Sequence, residues 1–330
     1  MISLSSSERT CDVYKGSWVL DESYPLYDAS NCPFIAAALN CQKQGRPDTM
    51  YLHYTWKPTH CDIPRFDGKE FMERYRGKKV MFVGDSLSKN QWESMGCMLH
   101  AAVPNANYTL ASQGLLTTLS FPEYELSVKV LKNGFLVSMV NRTMRLDTLS
   151  GSSQWKGNDV LIFNSYHWWL HSGRYKTWDR YQIGNRTFQD MDLMEAYKTA
   201  LTTWANWVDS NIDPTRTRVF FQGISTVHYH GAEWNEPSVR DCRGQTKPIE
   251  GSSYPGNKPR GDAVVRSVID NMKKPAAASL LDILLLTQLR KDGHPSTYAG
   301  AGAPLDCSHW CVAGVPDTWN QLLYTNLLQT

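Results

Sequence analysis

Four short apolar runs, each unbroken, constrain this chain most: Val80-Met81-Phe82-Val83 behind Lys79, Val160-Leu161-Ile162-Phe163, Val219-Phe220-Phe221, and the segment around Leu280 to Ile283. A strand with one wet face alternates apolar with polar residues, so runs without alternation belong to strands covered on both sides, as in parallel sheets. Helical periodicity fills the gaps. From Ser88 onward Trp92, Met95 and Leu99 recur three and four apart; Met194, Tyr197, Leu201, Trp204 and Val208 do the same before Asp213-Pro214; Val265, Val268 and Ile269 mark a helix over 262–272. Strands alternating with helices predict an α/β fold. With 330 residues, 42% of them hydrophobic, the core is large enough for one elaborated domain or two.

The stretch MFVGDSLSKNQWESM, 81–95, places Ser86 on the turn between the first strand and its helix. Such a turn sits at the carboxyl edge of the sheet, beside unpaired helix amides that stabilise developing negative charge. Asp and Ser are also common N-caps, so on this window alone capping is the better explanation of the pair. A nucleophilic serine needs a base and a group to orient that base. Near the C-terminus Asp306 and His309 stand three apart, one turn's spacing in a helix, with His309 between Cys307 and Cys311. Two other histidines follow apolar runs and compete for the role: His228 after Ser225-Thr226-Val227, and His294 after Asp292-Gly293.

A net charge of +2 argues against nucleic acid as a partner, because phosphate binding needs a concentrated basic face. Twelve tryptophans favour a carbohydrate ligand, since aromatic rings stack on the apolar faces of sugars. Eight cysteines, none in the spacing of a zinc knuckle, read as disulfides; a metal site at Cys307 and Cys311 is the lesser alternative. Sequons at Asn107, Asn141 and Asn185 agree with an oxidising, glycosylating compartment. The opening MISLSSSERT has neither a signal core nor a span, so residues 1–10 read as the remnant of a longer N-terminal region that carried a signal or anchor. Residues 11–68 predict an irregular, cross-linked segment packed on a body formed by 69–330. Within that body 240–262 is a long Gly- and Pro-containing loop, more basic than acidic.

Three long motifs, VMFVGDSLSKNQWESM, VLIFNSYHWW and DCSHWCVAGVPDTWNQLLY, resemble the plant trichome birefringence-like family, whose PC-esterase domain is GDSL/SGNH-like. The opening CDVYKGSWVLDESYPLYDASNCPFI is most similar to the branch containing the powdery-mildew-resistance pectin-related protein. One departure is Ser225-Thr226-Val227-His228, where the family usually has Ser-Pro-x-His. The resemblance implies an SGNH-hydrolase-like three-layer αβα fold with a central, mainly parallel sheet and a disulfide-rich N-terminal segment. It implies Ser86 as nucleophile, His309 as base, Asp306 as its orienting carboxylate, and an oxyanion hole from the Ser86 amide and Asn164. It further implies pairing of Cys11 with Cys61, Cys32 with Cys97, Cys41 with Cys311 and Cys242 with Cys307.

For function, the resemblance implies a ping-pong O-acetyltransferase of a cell-wall polysaccharide, pectin being the branch's suggestion; the alternatives are an acetylesterase and a non-catalytic pectin-binding protein. No bound cofactor or metal is expected, only an acetyl donor, acetyl-CoA being one candidate. Trp168 and Trp169, just past Asn164, are candidate glycan contacts. Arg243 and Arg260 are candidate partners for galacturonate carboxylates, drawn from the basic stretch 240–266. The expected location is the Golgi lumen, held there by an N-terminal anchor, or the cell wall after secretion.

Overall fold

The computed structural model describes residues 11–329, so the expectation for residues 1–10 lies outside the described residues. Its centre is a seven-stranded sheet: β1 (Lys79–Gly84), β2 (Thr109–Gln113), β3 (Leu116–Phe121), β4 (Leu126–Lys132), β5 (Val160–Phe163), β6 (Arg218–Gln222) and β7 (Ser279–Leu281), in the order β7-β6-β5-β1-β4-β3-β2. The five strands from β7 to β4 run parallel, and β3 and β2 continue from β4 as antiparallel strands. The four apolar runs are the four strands β1, β5, β6 and β7.

Helices cover both faces. Helix α1 (Ser86–Ala102) and α4 (Val315–Leu328) lie on one side, packing Leu87, Met95, Trp319 and Leu323 against Val80 and Phe82 of β1. On the other side α2 (Leu193–Asn211) and α3 (Arg260–Asp270) set Tyr197, Trp204 and Val265 into a second core with Met81, Val83, Leu161 and Phe163. Successive side chains of a strand point to opposite faces, so a strand buried on both sides shows no polar alternation. The layers are therefore α, β, α. Chain connections leave β1 for β4 on one side and β5 lies on the other, which makes the carboxyl end of β1 a switch point where a crevice opens.

The four disulfides join the same pairs that the resemblance implied. The N-terminal segment is less irregular than its sequence suggests, with Gly16–Leu20 and Tyr54–Pro58 forming an antiparallel pair. Trp18 reaches across and donates its indole N–H to Leu286 O at 2.8 Å. A second sheet of four strands, Val137–Val140, Thr143–Leu149, Arg180–Ile183 and Arg186–Phe188, had no counterpart in the sequence reading. Its strands are short and half-exposed, and a short alternating pattern is a weak signal.

Candidate active site

Of the two neighbours Asp85 and Ser86, Asp85 is the N-cap of α1, its Oδ1 accepting the Leu87 N–H at 2.9 Å. Ser86 is the first helical residue, and its Oγ lies 2.7 Å from His309 Nε2. On the far side of the ring, His309 Nδ1 is 2.8 Å from Asp306 Oδ2. The Asp306–His309 segment is not helical. Instead Asp306 Oδ1 accepts the backbone N–H groups of Ser308 and His309, both at 3.0 Å, a tight turn that aims the imidazole back at the carboxylate. Asp306 also exchanges backbone hydrogen bonds with Ser296. The sulfurs of Cys307 and Cys311 are both bridged, which removes them as metal ligands.

Sequence reasoning missed Asn90, four residues beyond Ser86 on α1. Its side chain accepts the Trp310 N–H at 2.9 Å and donates to Trp310 O at 3.1 Å, so the helix that carries the serine also grips the residue next to His309. The i, i+4 spacing was its only signal.

The competing histidines stand behind the site. His294 donates from Nδ1 to the carbonyl of His309 at 2.6 Å and stacks on Trp310 at 4.0 Å; its Nε2 meets His228 Nδ1 at 2.7 Å, and His228 Nε2 donates to Gln288 O at 2.9 Å. Carbonyls only accept, so the complete chain needs three protons on two rings. Burial, foremost, holds His228 at about 4 and His294 also well below the ordinary imidazole value. The neutral pair therefore satisfies two of the three links at once. Thr226, at the position where the family resemblance led to an expectation of proline, donates its N–H to Thr287 Oγ1 at 3.2 Å, a bond proline cannot make.

Burial also opposes charge on His309, but hydrogen bonding to Asp306 and the charge of that carboxylate outweigh it and raise the imidazole pKa. Burial raises Asp306 in turn, yet the hydrogen bond and charge of His309 prevail and hold the carboxyl far below its usual range. Asn164 continues the sheet by donating its N–H to Val83 O at 2.9 Å, and its side-chain oxygen is buried with no hydrogen-bond partner among the described residues. Any Cβ at Gly84 would come within 2.4 Å of Asn164 O, so only glycine lets β1 end this close to β5.

The substrate candidates separate. Trp168 is half-buried, whereas Trp169 is 1% exposed with its indole N–H on Ser165 Oγ at 3.0 Å; it is a core residue rather than a glycan contact. Arg243 is held by Asp241 at 2.7 Å, next to the Cys242–Cys307 bridge. Arg260 projects from the start of α3, 73% exposed and 3.6 Å from Asp192.

Residues 63–326 match the PC-esterase family, described as a GDSL/SGNH-like acyl-esterase family found in Pmr5 and Cas1p, and residues 9–62 match the PMR5 N-terminal domain. The chain belongs to the PC-esterase family. It is 57% identical to protein trichome birefringence-like 42 of Arabidopsis thaliana, over 96% of this chain and 89% of that one. It is 51% identical to trichome birefringence-like 40 from the same plant, over 96% and 87%. To protein trichome birefringence it is 38% identical over 98% of this chain, which covers 57% of that longer protein. PC-esterase membership supports an enzyme that makes or breaks acyl esters. The Ser86, Asp306 and His309 cluster lies wholly within the matched PC-esterase span.

Proposed function

We propose that this protein is an O-acetyltransferase of a plant cell-wall polysaccharide, with pectin as the acceptor, acting through an acetyl-Ser86 intermediate. The observation that supports this most is the unbroken hydrogen-bonded chain from Ser86 through His309 to Asp306. Ser86 Oγ attacks the acetyl carbonyl as its proton passes to His309 Nε2; the leaving group of the donor takes that proton as it departs. An acceptor hydroxyl then gives its proton to His309 and attacks the acetyl-serine, and Ser86 recovers a proton as the sugar ester leaves. The Ser86 amide at the N-terminus of α1 and the Asn164 side chain are the proposed oxyanion donors. Arg243 and Arg260 offer cations to galacturonate carboxylates. With water in place of the sugar, the same steps give the acetylesterase. Four disulfides support an oxidising compartment, the Golgi lumen or the wall, and all three sequon asparagines are exposed.

The test is a chromogenic acetyl ester supplied to purified protein with and without deacetylated oligogalacturonide. Acetylated oligomer should accumulate and ester turnover should rise with acceptor. Ser86→Ala should abolish both, and adding His309→Ala and Asp306→Ala should lower the rate scarcely further, because the three act as a unit. Ester loss insensitive to acceptor, with free acetate as the sole product, would favour the esterase.

A further inference from the structure

The loop that leaves β5 is fixed below and aromatic above. Underneath, Ser165 donates to Gly134 O at 2.8 Å, Tyr197 donates to Ser165 O, and Phe135 meets Trp168, Trp169 and Trp178 edge-on at 5.4 to 5.6 Å. Above, three rings form a row. Trp168 and His171 are stacked 6.3 Å apart at 27°, and His171 and Tyr175 are 6.4 Å apart. A Cβ at Gly134 would fall 2.5 Å from the Trp168 ring, so the indole rests directly on backbone. Tyr175 is 60% exposed, in a stretch, 170–177, whose residues are all exposed or half-buried.

Cations border this row. Lys132 Nζ is 5.4 Å from the Trp168 centroid, and the Arg174 guanidinium lies 4.8 Å from that of Tyr175 while donating to its hydroxyl at 2.7 Å. Among the described residues, neither Lys132 nor Arg174 forms an ion pair with a carboxylate. The row also adjoins the triad. Lys132 is the register partner of Gly84, two residues before Ser86, and His167 contacts Ser225 O at 3.0 Å while Ser225 Oγ accepts the indole N–H of Trp310.

We propose that Trp168, His171 and Tyr175, with Lys132 and Arg174, form a binding platform for a polyuronate chain leading into the Ser86 site. Sugar C–H faces stack on the rings, and the carboxylates that recur along a uronate polymer meet the two free cations. A neutral polymer would engage the rings alone. Burial, foremost, keeps the His171 imidazole below its ordinary pKa, so near neutrality it serves as an uncharged stacking ring. The proposal rests on the glycan-acetylating reading of the site, so its test measures binding without turnover.

Calorimetric titration with oligogalacturonide and with xylohexaose, on the intact protein and on Trp168→Ala, Tyr175→Ala and Lys132→Gln/Arg174→Gln, provides that test, with thermal unfolding to confirm that each variant folds. Each ring variant should weaken oligogalacturonide about fivefold or more. The double charge variant should weaken it at low salt, less at high salt, and leave xylohexaose affinity near that of the intact protein. Unchanged oligogalacturonide affinity in both ring variants, equal loss of both ligands in the charge variant, or no oligogalacturonide binding by intact protein that still turns over acetyl ester would each overturn the platform. In the last case the acyl chemistry stands without it.

Discussion

His309 can take a proton from Ser86 only while its ring is neutral, and Asp306 makes that harder as well as useful. The carboxylate fixes the ring with Nδ1 protonated, leaving Nε2 free to accept, and it also raises the imidazole pKa against the opposing pull of burial. Activity should therefore fall as pH drops through a value above that of an ordinary histidine, about 6.5. Asp306→Asn removes the raising charge and leaves burial in command, so the acidic limb of kcat/KM should move to lower pH while the plateau falls by on the order of 10³ to 10⁴. A pH–rate profile of the two proteins decides it; an acidic limb that stays in place would mean that another group titrates. Side-chain type made Ser86, Asp306 and His309 legible as candidates only, with His228 and His294 as rivals, and the family resemblance is what selected His309 and Asp306 for the proposed triad. Spacing could not tell the turn from a helix at Asp306, since both bring residues three apart onto one side.

At the scale of elements, α1 is one rigid part serving two ends of the site. Ser86 opens it, and Asn90 one turn on closes both polar groups of the Trp310 backbone. Asn90→Ala would leave a buried N–H and C=O without partners, at a cost of about 1–3 kcal/mol, and release the loop next to His309. Because Asn90 touches the residue next to His309 rather than the substrate, kcat should fall while KM changes little; the reverse split, measured by steady-state kinetics, would place Asn90 in substrate binding instead. Strand β1 and helix α1 were readable because an unbroken apolar run gives way to a three-and-four period within a few residues. Asn90 was not, because a polar residue on a predicted helix looks solvated until the loop that covers it is placed. The same holds for His228 and His294: their positions after apolar runs made them rivals for the base, and only tertiary contacts show them supporting the His309 carbonyl from behind.

Across the whole molecule, the N-terminal segment is the back wall of the site. The buried Arg46 guanidinium donates to the carbonyls of Asp292 and His294, Arg290 donates to Tyr51 O, and Cys41 is bridged to Cys311 across 270 residues of chain. Eight cysteines admit 105 pairings, so composition told only that bridges exist, and which ones came from the resemblance. Position now separates them. Cys41–Cys311 and Cys242–Cys307 flank His309, whereas Cys11–Cys61 closes a loop within the first strand pair and its flanks. Removing a bridge frees chain entropy in the unfolded state, so Cys11→Ala/Cys61→Ala and Cys41→Ala/Cys311→Ala should each lose about 2–5 kcal/mol of stability. Their kinetics should differ. The first variant, assayed well below its unfolding temperature, should keep the turnover of the intact protein. The second should lose turnover at that same temperature, because Val312 and the loop before it are no longer drawn toward the Leu39 carbonyl that Val312 N–H now contacts at 2.9 Å. Thermal unfolding paired with ester turnover on both variants is the measurement, and equal retention of activity in the two would show that Asn90 and the Asp306 turn hold His309 without help from the N-terminal segment.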